Sequence, residues 1–216
     1  MQLKCSLFTG ALFLFLSLHS FSQDGWDLKL DKEGIRVYTK ILDNSPFKAV
    51  RTVCTIDASL NQVMAVLLDI PGSVNWLYAT KSCSVLKQIS PSEIIYYSEI
   101  EVPWPVNNRD FVVRIKVTQD EKTKVVTMVG ENKPTYLPEN KNIVRIQKSS
   151  AKWVIVPLSK NQVKLEYILQ VDPGGSVPAW LINMFATKGP YESFKNLREQ
   201  VKKPAYSYVS FPFLKN

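Results

Sequence analysis

The chain has 216 residues, 45% hydrophobic and 21% charged, the composition of one globular domain and not of a disordered or collagen-like polymer. A chain this long buries a substantial core without disulfides or metals. Its formal net charge of +8 favours anionic partners and leaves the fold open.

Residues 1–22 read as a secretory signal peptide. Lys4 supplies the positive start, residues 7–18 form an apolar run, and Ser20 and Ser22 place small residues before a cut at Gln23. The alternative is a retained membrane anchor, and the apolar run falls short of the roughly 20 residues a span needs. Cys5 precedes the apolar run, unlike the cysteine of a lipoprotein signal. The expected destination is therefore outside the cytosol, periplasmic or secreted. His19 is the sole histidine and leaves with the signal. The mature chain then has no imidazole for Ser-His or Cys-His catalysis or for a histidine-containing metal site. No metal, cofactor or catalytic residue is expected. Cys54 and Cys83 are too few for a disulfide scaffold; one bridge or two buried thiols both fit.

The mature chain shows no repeat, low-complexity block or flexible linker. Residues 26–30 begin a short helix or strand. Residues 34–39 and 47–56 read as strands, the second rich in β-branched side chains. Ser59 caps a helix carrying Val63, Val66, Leu67 and Ile70 at helical spacing, interrupted by Pro71 and Gly72 and resumed briefly over 74–77. Seven strands follow, at 83–89, 94–102, 109–119, 124–130, 142–149, 153–157 and 163–171, separated by turn residues. Pro178 then opens a long helix whose apolar stripe is Trp180, Leu181, Met184, Phe185, Phe194, Leu197 and Val201. Gly189 and Pro190 should kink it, and Pro204 should end it. The fold class is α+β. A nine-stranded antiparallel sheet curls, and the last helix is the only element long enough to lie in its hollow, which leaves room for an apolar cavity.

Several side chains are candidates for that cavity. In 109–117, Phe111, Val113, Ile115 and Val117 share one face, and Arg109 shares their parity. An inward arginine is either paired within the protein or meets an anionic ligand. Tyr96 and Ser98 share a face with Ile94, Ile100 and Val102, as polar anchors of an apolar pocket or as satisfied core hydroxyls. Glu99 and Glu101 point outward. Trp104, between Pro103 and Pro105, projects from a stiff loop or folds back on the core.

Residues 99–112 contain Pro103-Trp104-Pro105 followed by Asn108-Arg109-Asp110-Phe111. This segment resembles the Pro-aromatic-Pro and Asn-Arg-Asp-aromatic segment of START domains, the steroidogenic-acute-regulatory-related lipid-transfer family, nearest its phosphatidylcholine-transfer branch. Residues 172–183 resemble the family's entry to its C-terminal lid helix. The resemblance spans roughly residues 26–203. It implies a helix-grip fold, with a curved antiparallel sheet around a long C-terminal helix, a lipid-sized tunnel and a movable lid. It also implies that Arg109 helps hold a head-group phosphate.

The expected organisation is a signal peptide at 1–22, a START-like lipid-binding domain at 23–203 and a tail at 204–216. The expected ligand site comprises Arg109, Tyr96, Ser98, Trp104, Phe111, Trp180, Met184 and Phe185. The protein is expected to be a monomeric, non-enzymatic carrier of a lipid or other hydrophobic molecule. Its basic charge would bring it transiently to anionic membrane surfaces. Nucleic acid is not an expected partner, because the basic residues are dispersed. The alternative is a cyclase- or aromatase-like enzyme on the same fold, which needs acid and base groups in the cavity.

Overall fold

The computed structural model describes residues 25–43 and 45–215. The expected signal peptide and its cut at Gln23 lie outside the described residues. The strands are β1 (Asp27–Lys32), β2 (Ile35–Leu42), β3 (Ser45–Ile56), β4 (Thr80–Ser90), β5 (Glu93–Ile100), β6 (Asn108–Gln119), β7 (Val126–Asn132), β8 (Ile143–Arg145), β9 (Lys148–Ser159) and β10 (Gln162–Asp172). Helix α1 (Leu60–Leu68) follows β3. The last helix comprises α2 (Ala179–Asn183), a π-helical turn Met184–Lys188, and α3 (Gly189–Gln200).

These strands form one sheet in the order β1-β2-β3-β10-β9-β7-β6-β5-β4, with β8 alongside β6. Every pairing is antiparallel except β6 with β8. The parallel pair explains where the expected strand at 142–149 goes. β7 ends at Asn132 opposite Val113, so the backbone of residues 108–110 has no partner on that edge. β8 fills the gap by pairing with Asn108, Arg109 and Asp110. The chain then turns at Ile146 and Gln147, and β9 starts earlier than expected, at Lys148. Residues 26–30 resolve as the edge strand β1, giving ten strands among the described residues in place of nine.

Period-two alternation fixes which side chains enter the hollow. On β6, Val113, Ile115 and Val117 are buried on the concave face, while Lys116 and Thr118 are exposed on the other. Asp110 and Val112 break that pattern, being buried on the convex side. There residues 133–146 fold back over the sheet: Lys133 N donates to Val112 O at 2.8 Å and Ile146 N to Asp110 O at 2.9 Å.

Helix α1 begins with a reciprocal cap. Gln62 N donates to Ser59 Oγ at 3.3 Å, and Ser59 N donates to Gln62 Oε1 at 3.0 Å. Its apolar face, with Val63, Met64 and Val66, closes one end of the hollow. The brief continuation expected over 74–77 is a 3-10 turn, Pro71–Asn75, that begins three residues earlier. Gly72 is required there because its N–H donates to Asp69 Oδ1 at 3.0 Å, and any Cβ would collide with that carboxylate.

The last helix carries Phe194, Leu197 and Val201 into the core, each almost fully buried. Residues 204–215 continue the packing. Tyr206 is buried, and its hydroxyl donates to Asp69 Oδ2 at 2.8 Å and accepts from Gln200 Nε2 at 3.0 Å. Val209, Phe211, Phe213 and Leu214 pack against the core. Lys215 N donates to Gln119 Oε1 at 2.7 Å, tying this segment to the end of β6 farthest from Arg109.

Candidate functional site

The hollow contains a cavity of about 450 Å³ between the concave sheet, α1 and the last helix. That volume lies within the ordinary range of small-molecule sites, about 300–1,000 Å³. The space exists because small residues meet on neighbouring strands. Gly130 on β7 pairs with Ala151 on β9, and Ser149 lines the wall beside them. A Cβ at Gly130 would already stand 3.3 Å from Ala151 Cβ and 3.2 Å from Val113 Cγ1.

Aromatic rings surround that notch. Trp153 stacks on Tyr167, with centroids 4.3 Å apart, and on Phe194 of α3 at 5.4 Å. Trp76 meets Trp153 edge-on at 6.4 Å. On the other wall Tyr96 and Phe111 make an edge-to-face pair at 6.0 Å. Burial raises the phenol pKa of both Tyr96 and Tyr167, so both are neutral hydrogen-bond donors at physiological pH. The charged residues of the cavity wall are Lys29, Lys48 and Arg109, and no carboxylate lines it among the described residues.

The mouth lies where β6 begins and β10 ends. The three residues Asn108, Arg109 and Asp110 each tie a different segment to it. Asn108 holds the preceding loop: Val102 N donates to its Oδ1 at 3.0 Å, and its Nδ2 donates to Glu99 Oε1 at 2.7 Å. Asp110 is fully buried and receives a bidentate pair from Arg145, 2.7 Å from Nε and 3.0 Å from Nη2. The remaining Arg145 donors reach the carbonyls of Pro134, Leu137 and Pro138.

Arg109 is only 5% exposed, and its side chain faces the cavity as its parity requires. Its partners are backbone carbonyls: Nε donates to Pro173 O at 3.3 Å, Nη2 to Gly174 O at 3.1 Å and Nη1 to Asn107 O. The internal pairing is thus with the loop that leads into α2 and with Asn107 just before β6, and no carboxylate takes part among the described residues. Burial lowers the Arg109 pKa. Gly174 and Gly175 both have positive φ, +65° and +63°, which lets the loop turn its carbonyls toward the guanidinium.

Of the eight residues expected at the site, Arg109, Tyr96, Phe111 and Phe185 line the cavity. The other four stand elsewhere. Ser98 is buried within the sheet, where its hydroxyl accepts from Cys83 Sγ at 3.2 Å. Trp104 is 91% exposed, because the proline-flanked loop projects away from the core. Trp180 is 50% exposed and Met184 is off the cavity wall. The cause for both is the π turn. Gly189 N–H reaches Met184 O, five residues back, which adds one residue to the turn. Pro190 imposes the break, since it has no N–H and its ring excludes the usual carbonyl approach. The extra residue rotates the outer helix, so Leu181, Ile182, Phe185 and Ala186 face inward.

Tyr167, Trp153 and Trp76 were missed as wall residues. Tyr167 shares parity with Val163, Leu165 and Leu169 on β10, so the alternation that placed Arg109 identifies it as well. Cys54 and Cys83 are free thiols. Burial pushes the Cys54 thiol up to about 12 and raises that of Cys83.

The model of the START domain matches residues 11–206. An uncharacterised protein of Pseudomonas aeruginosa is 34% identical over 182 residues, covering 83% of this chain and 88% of its own length. Phosphatidylcholine transfer protein of Bos taurus is 24% identical over 183 residues, covering 82% of this chain and 84% of its own. The crystal structure of a STAR-related lipid transfer protein fragment from Xanthomonas axonopodis superposes with a TM-score of 0.76 at 32% identity. It covers 83% of this chain and all of that fragment.

Proposed function

The chain belongs to the START domain family, and from that premise we propose that it is an exported carrier that holds a single amphiphile under a movable lid. The observation that carries this reading is the apolar cavity between the concave sheet and the last helix. Burying a hydrocarbon chain there is worth roughly 25 cal/mol for each Å² removed from water. No covalent step is needed. The enzymatic alternative asks for acid and base groups in the wall, where the charged residues among those described are cations alone.

The lid is α2 with its preceding loop. Two features support its movement: the π turn interrupts the regular hydrogen-bond ladder beside Gly189, and Arg109 fastens the loop by carbonyl contacts that solvent can replace. Trp104 and Trp180 give the carrier two exposed indoles for a bilayer interface, where such rings are favoured. The basic charge supports transient attachment to anionic lipid. Arg109 has five N–H donors; two act on the loop and one on Asn107 O, which leaves two for an anionic head group. Export rests on residues 1–22, and the intact mass of the exported protein should begin at Gln23.

Filling the cavity tests the carrier reading. Ala151→Phe places a ring in the notch beside Gly130. The purified wild-type protein should yield a bound amphiphile to mass spectrometry of its organic extract and should take up a fluorescent fatty acid. The variant should melt cooperatively and carry neither. A wild-type protein that extracts clean and binds no amphiphile overturns the proposal.

A further inference from the structure

The cavity has a definite length. On β6 its wall runs from Arg109 to Ile115, and alongside β10 it runs from Pro173 back to Tyr167. Each run covers about 20 Å at the strand rise of roughly 3.3 Å per residue. Two residues deeper the wall has stopped: Val117 and Leu165 are buried in the core and off the cavity. Trp153 floors it there, paired across the sheet with Tyr167 and Met128 and stacked against Phe194 of the last helix.

Its volume of about 450 Å³ sets what fits along that length. A methylene group is close in size to a water molecule, whose share of liquid volume is about 30 Å³. The cavity therefore takes roughly fifteen methylenes. A chain of that size spans one leaflet of a bilayer, about 15 Å, which leaves the outer end of the cavity for a head group. A lipid with two such chains needs about twice the volume.

The charges of the wall select the end of that chain. Lys29 is held by Asp27 at 3.6 Å on the edge strand. Lys48 is exposed on β3 and borders the cavity. Val50 pairs with Leu169, which sets Lys48 beside Val171, close to the start of the loop that Arg109 holds. A negative group at the mouth thus has a cation on its β6 side and another on its β3 side. A zwitterionic group also brings a positive charge, and no carboxylate lines the wall among the described residues to receive it.

We infer that the cavity is built for a single-chain anionic amphiphile, one acyl chain of about sixteen carbons whose negative head stays at the mouth. This rests on the carrier reading and names its ligand class. A second chain would have no room inside, and leaving it in water would forgo the burial it has in a bilayer.

Vesicles of palmitoyl-oleoyl phosphatidylcholine test it when they carry equal small amounts of palmitoyl lysophosphatidylglycerol, palmitoyl lysophosphatidylcholine and dipalmitoyl phosphatidylglycerol. Native mass spectrometry of the delipidated full mature protein after incubation reads the load. Per molecule offered, lysophosphatidylglycerol should load roughly tenfold or more above each of the other lipids, from a charge-assisted head-group contact and a fully buried chain. Ala151→Leu adds bulk to the notch beside Gly130. Across a series of free fatty acids it should shorten the best-bound chain by about three carbons, the number it adds. Equal or greater loading of a two-chain lipid, or equal loading of the two lyso lipids, overturns the inference while the carrier reading stands. An unshifted chain-length optimum in a folded Ala151→Leu protein does the same. Failure to load any lipid and to bind any fatty acid overturns both.

Discussion

Two buried arginines at the mouth do different work, and their removal should separate them. Arg145 gives its donors to Asp110 and three carbonyls, and both members of the pair are almost completely buried. Arg145→Met strands the Asp110 carboxylate and should cost about 3–5 kcal/mol of stability, read as a large fall in melting temperature. Arg109 holds only carbonyls of loops at the surface of the mouth, and water can take its place. Arg109→Met should cost about 1.5–3 kcal/mol at most, and should speed both proteolysis within residues 173–178 and ligand release. A smaller loss of stability for Arg145→Met than for Arg109→Met would contradict this division. Parity along one strand was enough to turn Arg109 inward from sequence. Its partners were not legible, because a backbone carbonyl has no residue type to announce it. The Asp110–Arg145 pair was hidden for a related reason: alternation puts Asp110 on the convex face, and only the fold-back of residues 133–146 buries that face.

Among the elements, the sheet was the most legible and the outer part of the last helix the least. Alternation identifies most strands. The misplaced one, at 142–149, splits because an unpaired stretch of β6 recruits three of its residues. In the helix, Leu181, Phe194, Leu197 and Val201 are buried as the stripe requires. Trp180 and Met184 were assigned by a constant helical period, and the π turn breaks that period. Their outward position changes what they should do. A Trp104→Ala, Trp180→Ala double variant should keep its bound lipid and its melting temperature, since neither ring lines the cavity. Its transfer of lipid between vesicles should slow about tenfold or more, through weaker membrane attachment. Loss of bound lipid from this variant, at unchanged stability, would return both rings to the ligand site.

On the scale of the whole molecule, the proposed carrier asks one end to open while the other is tied shut. At the shut end Tyr206 joins Gln200 to Asp69, and Lys215 grips Gln119. The last helix is therefore a cantilever, clamped at its root by residues 204–215 and jointed at Met184–Lys188. A clamped beam confines bending to the arm beyond its joint. Ligand entry can then proceed without disturbing Phe194 and Leu197, the part of the helix on which the core depends. Amide hydrogen exchange should register this directly: loading and unloading the cavity should change protection within residues 177–188 and leave residues 194–201 slow in both states. Equal changes along the whole helix would mean that it swings from its root, and that each cargo exchange puts the stability of the core at risk.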